Sequence, residues 1–153
     1  MNLITPTAEH IKTLMTWFKS EQELKNWSGP NFRYPYTQQS FTEDLRTNEL
    51  QPYVLLSLED ELLAFGQFYL RLGKCHLGRL VVNPNHRGQG IAGLLISSLC
   101  ELGNRELDTS ESSLFVLSHN ESAVKAYEKM GFIEQAYPEP IPLENCLYMV
   151  KTN

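Results

Sequence analysis

The chain has 153 residues, of which 42% are hydrophobic and 20% charged, enough for one domain that buries about 68–70% of its unfolded surface without disulfide or metal staples. A formal net charge of −5 at pH 7 disfavours nonspecific binding to nucleic acid or anionic membranes, and no apolar run approaches the roughly 18 residues needed to span a bilayer. The three cysteines are widely spaced, which suits a reducing compartment, and the opening MNLITPTAEH lacks the blocks of a secretory signal, so a cytoplasmic location is expected.

NLITPT reads as a short first strand. Thr7 then caps a helix from about Ala8 to Phe18, in which Ile11, Leu14, Met15 and Phe18 recur at helical spacing. A shorter helix includes Leu24 and Trp27, and SGPNFRYPYT breaks it with Gly29, Pro30 and Pro35. Thr37 or Ser40 starts a third helix that runs to about Thr47. From Pro52 the period changes: YVLLSL, LLAFGQFYLRL and CHLGRLVV are consecutive strands joined at Glu59-Asp60-Glu61 and Gly73-Lys74, the pattern of an antiparallel meander. Ile91, Leu94, Leu95, Leu99 and Leu102 form the inner stripe of a helix that ends near Gly103, with Cys100 a packed thiol on it rather than a nucleophile. SLFVLS is a continuous apolar strand of the kind buried on both faces, which suits a parallel pairing reached by that crossover helix. Asn120 caps a last helix carrying Ala123, Val124, Tyr127 and Met130, and Gly131 stops it. FIEQAY and CLYMVK close the sheet. No repeat or linker divides the chain, so residues 1–153 are expected to form a single domain.

The loop NPNHRGQGIAGLL, residues 83 to 95, carries two overlapping patterns. Gly88, Gly90 and Gly93 match the dinucleotide fingerprint G-x-G-x-x-G, whereas Arg87, Gly90 and Ala92 match R-x-x-G-x-A. A dinucleotide loop sets its first glycine directly at the end of a strand and needs an acidic residue about 20 positions on, at the tip of the next strand. NPNHR intervenes at the first point, and Asp108 and Glu111 fall before SLFVLS rather than after it. No Lys-Ser or Lys-Thr follows Gly93, which removes the P-loop alternative. What survives is a glycine-rich turn that opens a helix and offers backbone N–H groups, a positive dipole end and the Arg87 charge to an anion. A plain strand-to-helix turn would have the same residues.

LVVNPNHRGQGIAGLL followed by SLFVLSHNESAVKAYEKMGF resembles the core of the GNAT superfamily of acyl-CoA-dependent N-acetyltransferases, over roughly Leu77 to Phe132. The resemblance implies an α/β (α+β) GNAT fold: a mixed, mostly antiparallel sheet of about six or seven strands, about four helices, and a splayed parallel strand pair that forms an acyl-CoA cleft. It implies acetyl-CoA as cosubstrate, with backbone groups of Leu80, Val81 and Val82 bonding pantetheine as an added strand would. Arg87, Gly88, Gln89, Gly90, Ile91 and Ala92 would wrap the pyrophosphate, although Ala92 stands where a glycine is commoner. Asn120 would bond pantetheine while capping its helix, and as a pure cap it would look the same. Tyr127 would protonate the departing thiolate as general acid; a tyrosine on an apolar stripe is otherwise core.

The chain departs from many members of that family in its base. Their common carboxylate positions correspond to Gly78 and Phe115, neither of which takes a proton. His76, two residues before Gly78 and so on the same strand face, is the candidate base, with a structural histidine as the alternative. Glu144 and Tyr148 are further candidates, and His86 and His119 need be no more than loop residues. The four histidines show no metal-ligand spacing, so no metal is expected. Trp27, Phe32, Tyr34 and Tyr36 with Arg33 would wall an acceptor pocket, or would tether their loop to the core. In a pocket, Arg33 would either repel a cationic acceptor or grip a carboxylate.

The function expected is acetyl transfer from acetyl-CoA to a primary amine of a small molecule or peptide by direct attack, in a monomer or homodimer with no nucleic-acid or membrane partner. A noncatalytic acyl-CoA-binding module, its base lost, is the alternative. A nucleotide-binding oxidoreductase rests on the overlapping glycines alone.

Overall fold

In a computed structural model, which describes residues 1–141 and 144–152, the chain folds as strands and helices in the order β1 (Asn2–Ile4), α1 (Ala8–Met15), α2 (Glu21–Ser28), α3 (Gln38–Asp44), β2 (Gln51–Leu56), β3 (Leu62–Arg71), β4 (Lys74–Val82), α4 (Ile91–Leu107), β5 (Glu111–Leu117), α5 (Glu121–Lys129), β6 (Ile133–Gln135) and β7 (Cys146–Thr152). These described strands form a seven-stranded mixed sheet ordered β1-β2-β3-β4-β5-β7-β6. β1 runs antiparallel to β2, and β7 runs antiparallel to both β5 and β6. The parallel pair is β4 and β5, in register from Cys75 opposite Ser112 to Leu77 opposite Leu114. Five α-helices, rather than about four, accompany the sheet among the described residues. No helix among them is long and apolar enough to cross a membrane.

Several boundaries differ from expectation, each for a local reason. Helix α1 stops at Met15 rather than Phe18, because the Thr16 hydroxyl and N–H both turn back to the Thr13 carbonyl. Helix α3 stops at Asp44 instead of Thr47, with Arg46 in the left-handed region at φ 53°. Helix α4 runs through Gly103 to Leu107. Gly103 is a contact glycine: a Cβ there would lie 2.4 Å from Cys75 Sγ and 3.2 Å from the Phe68 ring. The helix ends instead on Asp108 at φ 54°, with the Thr109 N–H donating to the Asn104 carbonyl at 3.0 Å, a Schellman closure without glycine.

By contacts the chain divides into two compact units, Met1–Gln67 with Arg79–Ser98, and Phe68–Gly78 with Leu99–Asn153. The core of the first gathers Ile11, Leu14, Trp17, Leu24, Phe32, Phe41 and Leu45 with Val54, Leu56, Leu62 and Phe65. Gln67 is buried there with its Nε2 donating to the carbonyls of Leu45 and Leu50, so the chain after α3 is held to β3 without an orphaned amide. The core of the second includes Phe68, Cys75, Leu77, Leu99, Leu114, Phe132 and Met149. Its buried Asn104 donates to the Cys100 carbonyl and the Ser112 hydroxyl, both at 2.8 Å, and so ties α4 to β5.

Candidate active site

The glycine loop in the first unit is anchored by the residues that lead into it. Asn83 is buried: its Nδ2 donates to the Leu62 carbonyl at 2.9 Å, its N–H to the Leu63 carbonyl at 2.8 Å, and its Oδ1 accepts from the Asn85 N–H. After a 3₁₀ turn at Pro84–His86, His86 places Nε2 2.9 Å from a Glu61 carboxylate oxygen and Nδ1 3.3 Å from Gln89 Oε1. A protonated ring donates to both, and the Glu61 contact, then Gln89, raises its pKa above the ordinary 6.5.

Beyond these anchors Arg87, Gly88, Gln89 and Gly90 are exposed. Gly88 and Gly90 sit at φ 77° and 79°, which L side chains rarely adopt, and the space a Cβ would fill at each is open to 4 Å. Helices α1, α2, α3 and α5 are capped by the side chains of Thr7, Ser20, Thr37 and Asn120. Helix α4 starts behind Gly90, and among the described residues no side chain caps it. Its first N–H groups, on Ile91, Ala92 and Gly93, therefore have no acceptor among those residues. Arg87 likewise has no ion-pair or hydrogen-bond partner there. Unpaired donors, a positive helix end and a free guanidinium fit the diphosphate of an acyl-CoA.

β4 reaches this loop through a bulge. Arg79 holds φ 52° inside the strand. Its carbonyl accepts from the Trp27 indole N–H at 2.7 Å, its guanidinium donates to the Leu45 carbonyl at 3.0 Å and to Gln67 Oε1 at 3.1 Å, and its Cζ stands 4.8 Å from the Phe32 ring centre. Leu80, Val81 and Val82 follow, half-buried, with Val81 also against the core.

Much of the aromatic segment packs against the core. Trp27 stacks on Phe18 at 4.5 Å and meets Phe32, Phe41 and Phe65 within 5.9 Å. Tyr36 donates its hydroxyl to the Met15 carbonyl at 2.6 Å. Arg33, the expected cation of the pocket wall, pairs with Glu43 at 2.8 Å and Asp44 at 3.0 Å and holds the Glu43 carboxyl below its usual range. Of the expected pocket wall, Tyr34 is left 44% exposed.

In the second unit, α5 begins with Asn120 Oδ1 accepting from the Ala123 N–H at 3.3 Å, so the cap is real. It ends in a Schellman motif: the Phe132 N–H donates to the Tyr127 carbonyl and the Gly131 N–H to the Glu128 carbonyl, both at 3.0 Å, with Gly131 at φ 102°. The accompanying apolar contact is Tyr127 on Phe132, ring centres 6.1 Å apart. That contact fixes the phenol, whose hydroxyl has no partner among the described residues and is raised above its ordinary pKa of 10.0 by burial.

His76 lies in the interior, 2% exposed, with Nδ1 2.8 Å from the Ser113 hydroxyl and its ring 4.7 Å from Phe115 and 5.3 Å from Tyr69. Burial, then the Arg71 charge, pushes it down to about 3. An imidazole so depressed has little drive to take a proton from an ammonium, which argues against His76 as base. Gly78 has room, with Tyr69 Cε1 at 3.9 Å from a built Cβ, and Phe115 is ringed by His76, Tyr137 and Tyr148. Of the other candidates, His119 and Glu144 are exposed and Tyr148 is buried with an unpartnered hydroxyl. The cysteines are not poised as nucleophiles: burial pushes Cys75 up to about 12 and raises Cys100 and Cys146. Among the described residues no group of three His, Cys, Asp or Glu could hold a metal ion. The Arg79 bulge, the Glu61 contact with His86 and the setting of Arg71 leave no local sequence signal, because each depends on partners distant along the chain.

Both the glycine loop and the whole Asn120 helix with its Schellman close fall inside residues 15–132, the span matched by the acetyltransferase (GNAT) family profile, and the chain belongs to that family. A Bacillus subtilis relative, provisionally named as a ribosomal protein bS18 alanine N-acetyltransferase, is 27% identical over 101 residues, 66% of this chain and 66%, just under two thirds, of its own length. A solved chimera of the spermidine N-acetyltransferase SpeG from Vibrio cholerae and hSSAT matches at TM-score 0.75 and 16% identity, covering 99% of this chain and 96% of that one. The PaiA N-acetyltransferase from Thermoplasma acidophilum, in complex with coenzyme A, matches at TM-score 0.74 and 17% identity over 99% and 98%. At these identities the likeness to the solved structures is one of fold.

Proposed function

We propose that the chain moves the acetyl group of acetyl-CoA to a primary amine of a small molecule or peptide, by direct attack within a ternary complex. The observation that carries this reading is the uncapped start of α4 behind Gly88 and Gly90, where every other α-helix described has a side-chain cap. When bound, acetyl-CoA supplies a thioester from which the acetyl group passes to nitrogen as the thiol leaves. Arg87 and the N–H groups of Gly88 to Ala92 bind the diphosphate, and the half-buried backbone of Leu80, Val81 and Val82 pairs with the pantetheine amides. Asn120 Oδ1 is engaged as a cap, which leaves its Nδ2 for the same arm. Tyr127 holds a proton on Oη for the departing sulfur, and its raised pKa keeps that proton in place through the neutral range. The buried, weakly acidic thiols support direct attack over a covalent enzyme intermediate. An amine acceptor also agrees with the names of the relatives, one for an alanine of ribosomal protein bS18 and one for spermidine.

The depressed His76, with Gly78 and Phe115 at the usual carboxylate positions, favours a second reading, a module that binds acyl-CoA without turnover. Thiol release from acetyl-CoA is followed with a panel of amines and peptides. Transfer to any of them supports the enzyme; CoA bound with no acceptor acetylated leaves the module; NADH bound in place of CoA sinks both.

A further inference from the structure

Arg71, at the end of β3, is a half-buried cation with no counter-charge among the described residues. Its Nε donates to the Tyr69 hydroxyl at 3.0 Å and its Nη1 to the Tyr137 hydroxyl at 2.9 Å. Its Cζ lies 5.4 Å from the Tyr69 ring centre and 5.3 Å from that of Phe115. Nη2 has no partner among the described residues, and no carboxylate of theirs comes within ion-pair reach of the group. The chain does not lack acids: it has 18 Asp and Glu against 13 Lys and Arg, and Arg33, Arg46, Lys12, Lys25 and Lys74 each meet at least one. Partly burying a guanidinium against neutral hydroxyls and rings leaves much of its lost hydration unreplaced.

A second, independent gap lies beside it. The Tyr148 hydroxyl is buried without a hydrogen-bond partner, on a ring 4.8 Å from Tyr137 and 5.7 Å from Phe115. A buried polar atom left unpaired in a native fold calls for an explanation, and a ligand oxygen supplies one. Arg71 and Tyr148 thus share two neighbours, Phe115 and Tyr137, and each is short of an acceptor or polar partner.

We propose that Arg71, steadied by Tyr69 and Tyr137, binds a carboxylate carried by the amine acceptor, with Tyr148 adding a hydroxyl. The proposal rests on the acetyltransferase reading for the word acceptor, though the anion site stands on its own geometry. A carboxylate fits better than a phosphate, because the cluster holds one guanidinium and no second cation, while one planar fork matches one carboxylate. His76 agrees with this, since the charge that helps to depress it is the one a bound acid would neutralise.

The full chain is assayed with acetyl-CoA and two matched pairs: β-alanine against β-alaninamide, and the peptide Ala-Glu-Gly-Gly amide against Ala-Gln-Gly-Gly amide. In at least one pair the acidic member is expected to have a kcat/KM about 10-fold or more higher, mainly through KM, and the pair that shows it distinguishes a free amino acid from an acidic peptide. Arg71→Gln should bring the ratio close to one, and Arg71→Lys should keep part of it. Succinate should compete with the acidic amine. Acetylation of both pairs without preference, and without inhibition by succinate, overturns the proposal. If CoA binds and no amine is acetylated, the transferase reading fails by itself; calorimetry of succinate on the wild-type chain and on Arg71→Gln then decides the anion site, with Arg71-dependent binding upholding it and no binding overturning it. Should Arg71→Gln not fold, succinate competition on the wild-type chain decides: inhibition upholds the site and its absence overturns it.

Discussion

Tyr127 owes its setting to the way its helix ends: the carbonyl that closes the Schellman motif and the ring that packs on Phe132 belong to one residue. Tyr127→Phe keeps both and removes only the hydroxyl, so kcat should fall about 100-fold, within the range for general acids, while CoA affinity holds. Because burial raises the phenol, wild type should show a falling kcat limb above pH 10 that the variant lacks; steady-state rates from pH 7 to 11 check both points. His76 bears on stability. The unfolded imidazole takes a proton near 6.5, whereas the folded one refuses it until about 3. The stability that comes from keeping it neutral is therefore complete above 6.5 and is lost as pH falls from there towards 3. One proton corresponds to about 1.4 kcal/mol per pH unit, so denaturant melts between pH 6 and 4 should slope more steeply in wild type than in His76→Phe by close to that amount. Equal slopes would mean that His76 is not held neutral.

Two glycines that look alike in sequence act oppositely within their elements. Gly103 lies in α4 where a Cβ would meet Cys75 Sγ at 2.4 Å, and both the thiol and the Phe68 ring beside it are buried. Gly103→Ala should cost about 1–3 kcal/mol through overpacking. Gly78 lies in β4 with 3.9 Å to its nearest neighbour and no positive φ. There alanine meets ordinary contact and restricts the unfolded chain, so Gly78→Ala should stabilise by about 0.4–1 kcal/mol. Chemical melts of the two variants should move in opposite directions. The Gly103 contact also explains why α4 outruns the end that its sequence suggests: a glycine late in a periodic stretch is usually a cap, and only the sheet packed beneath it shows otherwise. The caps at Thr7, Thr37 and Asn120 are legible because capping depends on residues three apart. The Arg79 bulge is not, because its carbonyl is satisfied by Trp27, 52 positions away.

At the scale of the whole chain, the sheet is readable because the hydrophobic period changes wherever an element type changes, and the crossover to SLFVLS demands a parallel partner. The proposed cofactor loop is readable because its chemistry is local, a few glycines and an arginine opening a helix. The proposed acceptor side is not: Arg71, Tyr137 and Tyr148 come from separate parts of the chain, and the ion pairs of Arg33 turn on Glu43 and Asp44, which only the fold brings beside it. Cofactor binding is therefore the property of the whole molecule that a few local changes should control. A ligand that binds the folded chain alone stabilises it by about 2.7 kcal/mol at 100 times its Kd, and for a domain of about 150 residues each kcal/mol raises Tm by about 2–4 °C. Saturating CoA should accordingly lift Tm by about 5–10 °C. Arg87→Ala removes the fixed charge, and Gly90→Val forces a side chain into a φ of 79°, at the loop alone; both should lose most of that shift, whereas Tyr127→Phe should keep it. If all three variants retain the full shift, CoA is not held at the mouth of α4, and if none of the proteins shifts, it is not held at all.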